Sequence, residues 1–246
     1  MAKVIAIIQA RMGSERLPGK VLRDLVGKPM LAHMLERVKF ARTINAIIVA
    51  TSRLEQDDAV ADLAQNCGVM VYRGDEEDVL SRYVEAATQV KAEVVVRLTG
   101  DCPLIDPGTI DKVVLEFLKG GCDYVATHIE GSYPRGLDVE VFSYRTLLQV
   151  NELAPAGKNP AREHVTWLIG RRPDLFRRRL VEAEAGLNRP HYRLCVDTID
   201  DFRLIEKIYK EFYRPGEIVN IEAVLRFLDE HPEIARLNAH VKQKVC

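Results

Sequence analysis

The run Val4-Ile5-Ala6-Ile7-Ile8-Gln9-Ala10-Arg11-Met12-Gly13-Ser14-Glu15-Arg16-Leu17-Pro18-Gly19-Lys20 starts apolar and β-branched, then turns abruptly polar and glycine-bearing. Val4–Gln9 reads as a buried strand. The residues after it read as a loop, because Gly13 and Gly19 permit positive φ and Pro18 stiffens the turn. Arg11, Arg16 and Lys20 set cations along that loop. In an open α/β sheet, the loop leaving the first strand is where ligands bind. Backbone N–H groups held by small residues, with guanidinium and ammonium groups converging on them, suit a polyphosphate. The loop is neither a Walker P-loop nor a G-x-G-x-x-G fingerprint, which weakens ATPase and nicotinamide-dinucleotide readings. The bland alternative is a basic surface loop, and the position after strand one argues against it.

Outward from this loop the chain alternates strand and helix. Pro29 opens a helix on which Met30, Met34, Leu35 and Val38 share a face. Strands are expected at Ala46–Ala50 and Val69–Tyr72, and helices at Asp57–Asn66 and Asp78–Val90. Glu93–Leu98 is the most β-rich run and reads as a central strand buried on both sides. Asp106-Pro107 then caps and opens a helix that ends at Gly120-Gly121. The alternation predicts an α/β fold with a mostly parallel, doubly wound sheet in an α/β/α sandwich. After residue 122 the order loosens. Tyr124–Thr127, Val139–Phe142 and Phe176–Val181 read as strands, and Ser143–Leu153 and Ala161–Arg171 as helices. Arg193–Val196 reads as a returning strand, followed by helices at Asp200–Tyr213 and Ile221–His231. We therefore expect one domain over 1–246 carrying a mixed insertion at about 123–190. Arg177-Arg178-Arg179 reads as a solvated strand edge.

Composition narrows the function classes. Thirty-five basic against 36 acidic residues give a formal charge of −1, which argues against a nucleic-acid coat or a polybasic membrane anchor. The longest apolar runs fall far short of the roughly 18 residues of a membrane span. No signal-peptide pattern precedes the first strand, so a cytoplasmic location is expected. Cys67, Cys102, Cys122, Cys195 and Cys246 contain no C-x-x-C pair and no zinc-finger spacing, which fits reduced thiols.

Two carboxylates stand at expected strand ends: Asp101 in Leu98-Thr99-Gly100-Asp101-Cys102-Pro103-Leu104 and Asp197 in Val196-Asp197-Thr198. Mg²⁺ takes one or two carboxylates together with phosphate oxygens, so this pair offers a metal position in the crevice of the first loop. The competing role for such residues is helix capping.

The run Ala10–Lys20, continuing through Gly27-Lys28-Pro29-Met30 to His33, resembles the signature of the sugar-acid cytidylyltransferases. These are the CMP-sugar synthetases of the 3-deoxy-manno-octulosonate and acylneuraminate type. Tyr133-Pro134-Arg135-Gly136-Leu137-Asp138-Val139-Glu140-Val141-Phe142 and Arg162-Glu163-His164-Val165-Thr166 are similar to their spore-coat polysaccharide, SpsF-like branch. The resemblance implies a nucleotide-diphospho-sugar transferase fold and a Mg²⁺-dependent transfer of CMP from CTP to an acidic sugar or related acceptor, in surface-polysaccharide precursor synthesis. It implies that Ala10, Arg11, Gly13, Ser14, Arg16, Lys20 and Arg82 bind the nucleotide. Lys20 and Arg11 are then the catalytic candidates, with Lys20 stabilising charge on the leaving pyrophosphate. Asp101 and Asp197 would bind the metal, Arg135 and His164 the acceptor, and the protein would be a homodimer.

Two other classes share this architecture, since fold does not fix function. A glycosyltransferase would place D-x-D after a central strand, where this chain has Asp101-Cys102-Pro103; Asp138-Val139-Glu140 is the nearest substitute and reads better as an alternating strand. A nucleotide-binding module without catalysis is the third class.

Overall fold

Val94–Thr99 (β6) lies at the centre of a seven-stranded sheet, with its aliphatic residues buried and only Arg97 and Thr99 partly exposed. The structure, a computed structural model, describes residues 2–129 and 131–243. The first half supplies β1 (Val4–Gln9), a small hairpin of β2 (Asp24–Leu25) and β3 (Lys28–Pro29), α1 (Met30–Val38), β4 (Ala46–Ser52), α2 (Asp58–Asn66), β5 (Met70–Gly74) and α3 (Val79–Gln89). After β6 come α4 (Pro107–Leu118), β7 (Tyr124–Thr127), β8 (Glu140–Ser143), α5 (Tyr144–Leu153), α6 (Pro160–Glu163), α7 (Trp167–Arg171), β9 (Arg178–Val181), α8 (Ile199–Phe212), α9 (Ile221–Glu230) and α10 (Pro232–Ala235).

The strand order is β5-β4-β1-β6-β8-β7-β9. The four strands from β5 to β6 run parallel, and β8 is antiparallel to both β6 and β7. Alternate residues of β1 serve opposite faces. Ala6 and Ile8 pack with α1, α4, α8 and α9, while Ile5 and Ile7 pack with α3 and α5. This is the α/β/α sandwich expected from the alternation. Among the described residues no helix is long and apolar enough to cross a membrane.

Register decides where chemistry is placed. Gln9 pairs with Ala50 on one side and Thr99 on the other, so β1 and β6 end level, β4 runs on to Ser52, and their loops leave side by side. The segment 123–190 is not peripheral, since β7, β8 and β9 belong to the same sheet.

Several expected elements differ. Arg193–Val196 is no strand: Arg135 and Arg193 form an isolated parallel bridge, and Val196 N–H donates to Asp101 O at 2.8 Å. Its partners are loops, which cannot continue a ladder. The expected helix over 161–171 divides into α6 and α7, because His164 leaves the helical region at φ −109°, ψ 85° and the Thr166 hydroxyl donates to Glu140 Oε1 at 2.8 Å. β8 starts at Glu140 and β9 at Arg178, each later than expected. The 3₁₀ turn Lys20–Leu22, the β2–β3 hairpin and α10 carry too few residues for a periodic signal.

Candidate active site

The loop after β1 is clamped from both flanks. Met12 N–H donates to Asp57 Oδ1 at 2.7 Å, and Ser52 Oγ donates to Asp57 Oδ2. Gly19 adopts φ 69°, so its N–H turns back to Met12 O at 3.0 Å and the 3₁₀ turn begins at Lys20. On the other flank Gly100 N–H donates to Gln9 O at 2.8 Å. The loop is thus fixed before any ligand arrives.

Lys20 is 7% exposed, and its ammonium spends all three donors inside the protein. It donates to Asp101 Oδ2 at 3.0 Å, Asp197 Oδ1 at 2.9 Å and Val196 O at 2.6 Å. Burial works against the charged ammonium, but Asp101 and Asp197 outweigh it and raise the Lys20 pKa. Asp101 mirrors this. Burial pushes its carboxyl up, yet Lys20 and the Thr99 hydroxyl, donating at 2.6 Å, hold it below the usual aspartate range. Asp197 Oδ2 meets Arg16 at 2.9 Å and Arg193 at 2.5 Å. Arg193 also grips Asp201 Oδ1 at 2.9 Å, and Asp201 completes a capping box with Thr198 at the start of α8.

Capping therefore falls to other residues. Asp106 accepts from Thr109 N–H at the start of α4, and Thr198 caps α8. Asp101 and Asp197 remain for the cleft. Among the described residues no three His, Cys, Asp or Glu side chains gather to hold a metal. The pair still fits Mg²⁺ by donor type, because two carboxylate oxygens and one carbonyl oxygen converge on a single point that a cation, the Lys20 ammonium, already marks.

This cluster floors a cleft of about 370 Å³. Ala10, Arg11, Gly13, Ser14, Arg16, Lys20, Arg82, Asp101, Asp197, Arg135 and His164 all line it. Arg11 pairs with Glu76 at 3.3 Å on the rim. Arg82 is 2% exposed, and among the described residues its Nε and Nη1 have no hydrogen-bond partner. Burial lowers its pKa, and its stem packs so closely on Gly74 that a Cβ there would meet Arg82 Cγ at 2.6 Å. A buried cation with idle donors suits an incoming anion. Cys102 also borders the cleft, but burial and then Asp101 push its thiol well above the ordinary value, so it carries no thiolate at neutral pH.

A second cleft of about 400 Å³ opens from the first. The two share Arg97, Thr99, Arg135 and Asp138. Arg97 pairs with Glu140, which also accepts from Tyr124 at 2.6 Å and from Thr166 at 2.8 Å. Asp138 precedes β8 rather than lying in it, and it accepts from Gly136 N–H at 2.6 Å. Gly136 has φ 106°, and a Cβ there would meet Cys195 N at 2.6 Å. The Arg135–Asp138 turn is thereby seated on the segment leading to Asp197. Arg97, Arg193 and Asp138 escape sequence reasoning as site residues. A charged residue in an apolar strand, as at Arg97, was the one usable signal.

A family model described as Cytidylyltransferase matches residues 5–226. The spore coat polysaccharide biosynthesis protein SpsF of Bacillus subtilis is 35% identical over 96% of this chain and 98% of its own length. The 3-deoxy-manno-octulosonate cytidylyltransferase of Geobacter sulfurreducens is 40% identical over 45% of this chain and 44% of its own length. The solved structure of a cytidylyltransferase from Leptospira borgpetersenii superposes with a TM-score of 0.88 at 29% identity, covering the whole of both chains. With the cleft at the ends of β1 and β6 and this agreement along the chain, the protein belongs to the cytidylyltransferase family and is a nucleotidyltransferase.

Proposed function

We propose that the protein transfers CMP from CTP, with Mg²⁺, to an acidic sugar or related acceptor and releases pyrophosphate, supplying a surface-polysaccharide precursor. The observation that carries this reading is the meeting of Lys20, Asp101 and Asp197 beneath a loop rich in N–H groups. In the reading, the Gly13–Ser14 backbone and Arg11, Arg16 and Arg82 hold the triphosphate, and Asp101 and Asp197 hold the metal. Mg²⁺ would neutralise the triphosphate and align it for in-line attack by the acceptor oxygen on the α-phosphorus. Lys20 and Arg11 face the charge that grows on the departing pyrophosphate. The second cleft gives the acceptor room beside the nucleotide, with Arg135 at the junction and His164 on the wall of the first cleft to orient an acid group. The reading extends to a homodimer: β9 ends the sheet with Leu180 exposed, an edge that a second copy would cover.

The test is a thermal-shift panel of CTP, UTP, ATP and GTP, each with and without Mg²⁺. A ligand at 100 times its Kd adds about 2.7 kcal/mol of stability. CTP with Mg²⁺ is expected to give the largest shift. Equal shifts for all four would remove cytidine from the reading and leave phosphate binding alone.

A further inference from the structure

The point that a divalent cation shared by Asp101 and Asp197 would occupy is filled by the protein's own cation. The Lys20 ammonium lies 3.0 Å from Asp101 Oδ2 and 2.9 Å from Asp197 Oδ1, and Val196 O at 2.6 Å takes its third proton. Its three donors are exhausted, so in this state Lys20 has none to offer a phosphate. The remaining oxygens are engaged too. Asp101 Oδ1 accepts from Thr99, and Asp197 Oδ2 is held by Arg16 and Arg193. Asp101 Oδ2 and Asp197 Oδ1 are the two carboxylate oxygens that face one another across the ammonium. An oxygen-to-magnesium distance of about 2.1 Å leaves no room for both cations there.

We propose that Lys20 is a tethered counter-ion which occupies the metal position of the empty protein and cedes it only when a nucleoside triphosphate enters. This rests on the nucleotidyltransferase reading of the cleft. Before the triphosphate arrives, a free divalent ion must displace an ammonium that is covalently attached and already desolvated, so it binds weakly. A triphosphate offers the ammonium new acceptors, the lysine swings from carboxylate to phosphate, and the paired oxygens open to the metal. Nucleotide and metal each make room for the other through one side chain, and the coupling is reciprocal. Between ligands the same contact keeps two buried carboxylates neutralised, which two facing anions otherwise could not tolerate.

The experiment measures Mn²⁺ binding to the nucleotide-free protein by loss of the free-ion paramagnetic resonance signal, for wild type, Lys20→Met and Lys20→Met/Asp101→Asn. Lys20→Met is expected to bind Mn²⁺ at least about tenfold tighter than wild type, and the added Asp101→Asn to abolish the gain. Equal affinity of wild type and Lys20→Met overturns the proposal. Should Lys20→Met not fold, the wild-type Lys20 side-chain ammonium resonance serves instead. It is expected to stay in place with Mg²⁺ alone and to move when CTP is added, and a shift produced by Mg²⁺ alone overturns the proposal. CTP binding by wild type is scored in parallel. If CTP does not bind, the nucleotidyltransferase reading fails, while the Mn²⁺ comparison still decides the counter-ion.

Discussion

Gly100 packs against Ala10 so tightly that a Cβ at position 100 would lie 2.9 Å from Ala10 Cβ and 3.0 Å from Gln9 O. The contact joins the ends of β1 and β6, the two strands whose loops carry Lys20 and Asp101. With the pairing of Gln9 and Thr99, it holds the loop after β1 and the carboxylate in one crevice.

Gly100→Ala is therefore expected to separate those strand ends. Overpacking at such a contact costs about 1–3 kcal/mol, and the displaced Ala10 carries the loop with it. Chemical denaturation should show the loss, and the CTP-induced thermal shift should shrink in the same variant. An unchanged CTP shift would show that the loop is positioned by its Asp57 clamp alone.

Asp101 and Asp197 should behave unequally in stability and as a unit in activity. Asp197 is shared by Lys20, Arg16 and Arg193, so Asp197→Asn takes one anionic partner from each of three cations and is expected to cost about 3 kcal/mol. Asp101→Asn loses one ion pair and is expected to cost about 1–2 kcal/mol. On the proposed reading, in which the two hold one Mg²⁺, both variants should depress turnover and the double variant should lose much less than the sum. The pH dependence follows from the Asp101 shift. A carboxyl held below its ordinary value contributes stability that is complete above that value and fades as pH falls through the folded one. Asp101→Asn should remove this acid limb from a plot of melting temperature against pH.

Arg82→Met should split stability from binding. Two guanidinium nitrogens without partners in a buried site cost the empty protein free energy, so their removal is expected to leave it unchanged or to stabilise it by about 1 kcal/mol. The same variant should bind CTP less well, because those donors are free for an anion. Melting curves with and without CTP measure both. A loss of stability in the empty protein with an unaltered CTP shift would make Arg82 a packing residue.

Asp138→Asn tests the junction of the two clefts. Burial raises the Asp138 carboxyl, against the Gly136 N–H and Arg135 that favour its charge. An acid whose folded value is raised lowers stability as pH climbs from the ordinary value through the folded one, and the cost persists above it. The neutral amide escapes this cost. Asp138→Asn is thus expected to melt higher than wild type at pH 7, to match it near pH 3, and to leave the CTP shift intact. With 3-deoxy-manno-octulosonate as trial acceptor, its effect should fall on turnover and acceptor KM.

The alternation of apolar runs and amphipathic stretches by itself determined the sandwich, the central place of Val94–Thr99 and the crevice at the ends of β1 and β6. These follow from local periodicity and from the rule that parallel strands are buried by helices. It also set the loop from Ala10 to Lys20 and the acid Asp101 on that crevice, because loops that end parallel strands emerge together, whereas Asp197 reaches it from a loop and not from the expected strand. Only the tertiary structure decided that Lys20 spends its ammonium on both acids, that Arg193 braces Asp197 against Asp201, and that Arg97 and Asp138 join a second cleft to the first. Such contacts link positions far apart in the chain. Their energy depends on burial and on which charges share a desolvated space, and no local pattern encodes either. The loss of the strand at Arg193–Val196 has the same origin, since loops brought from elsewhere took the backbone hydrogen bonds that a neighbouring strand would have used.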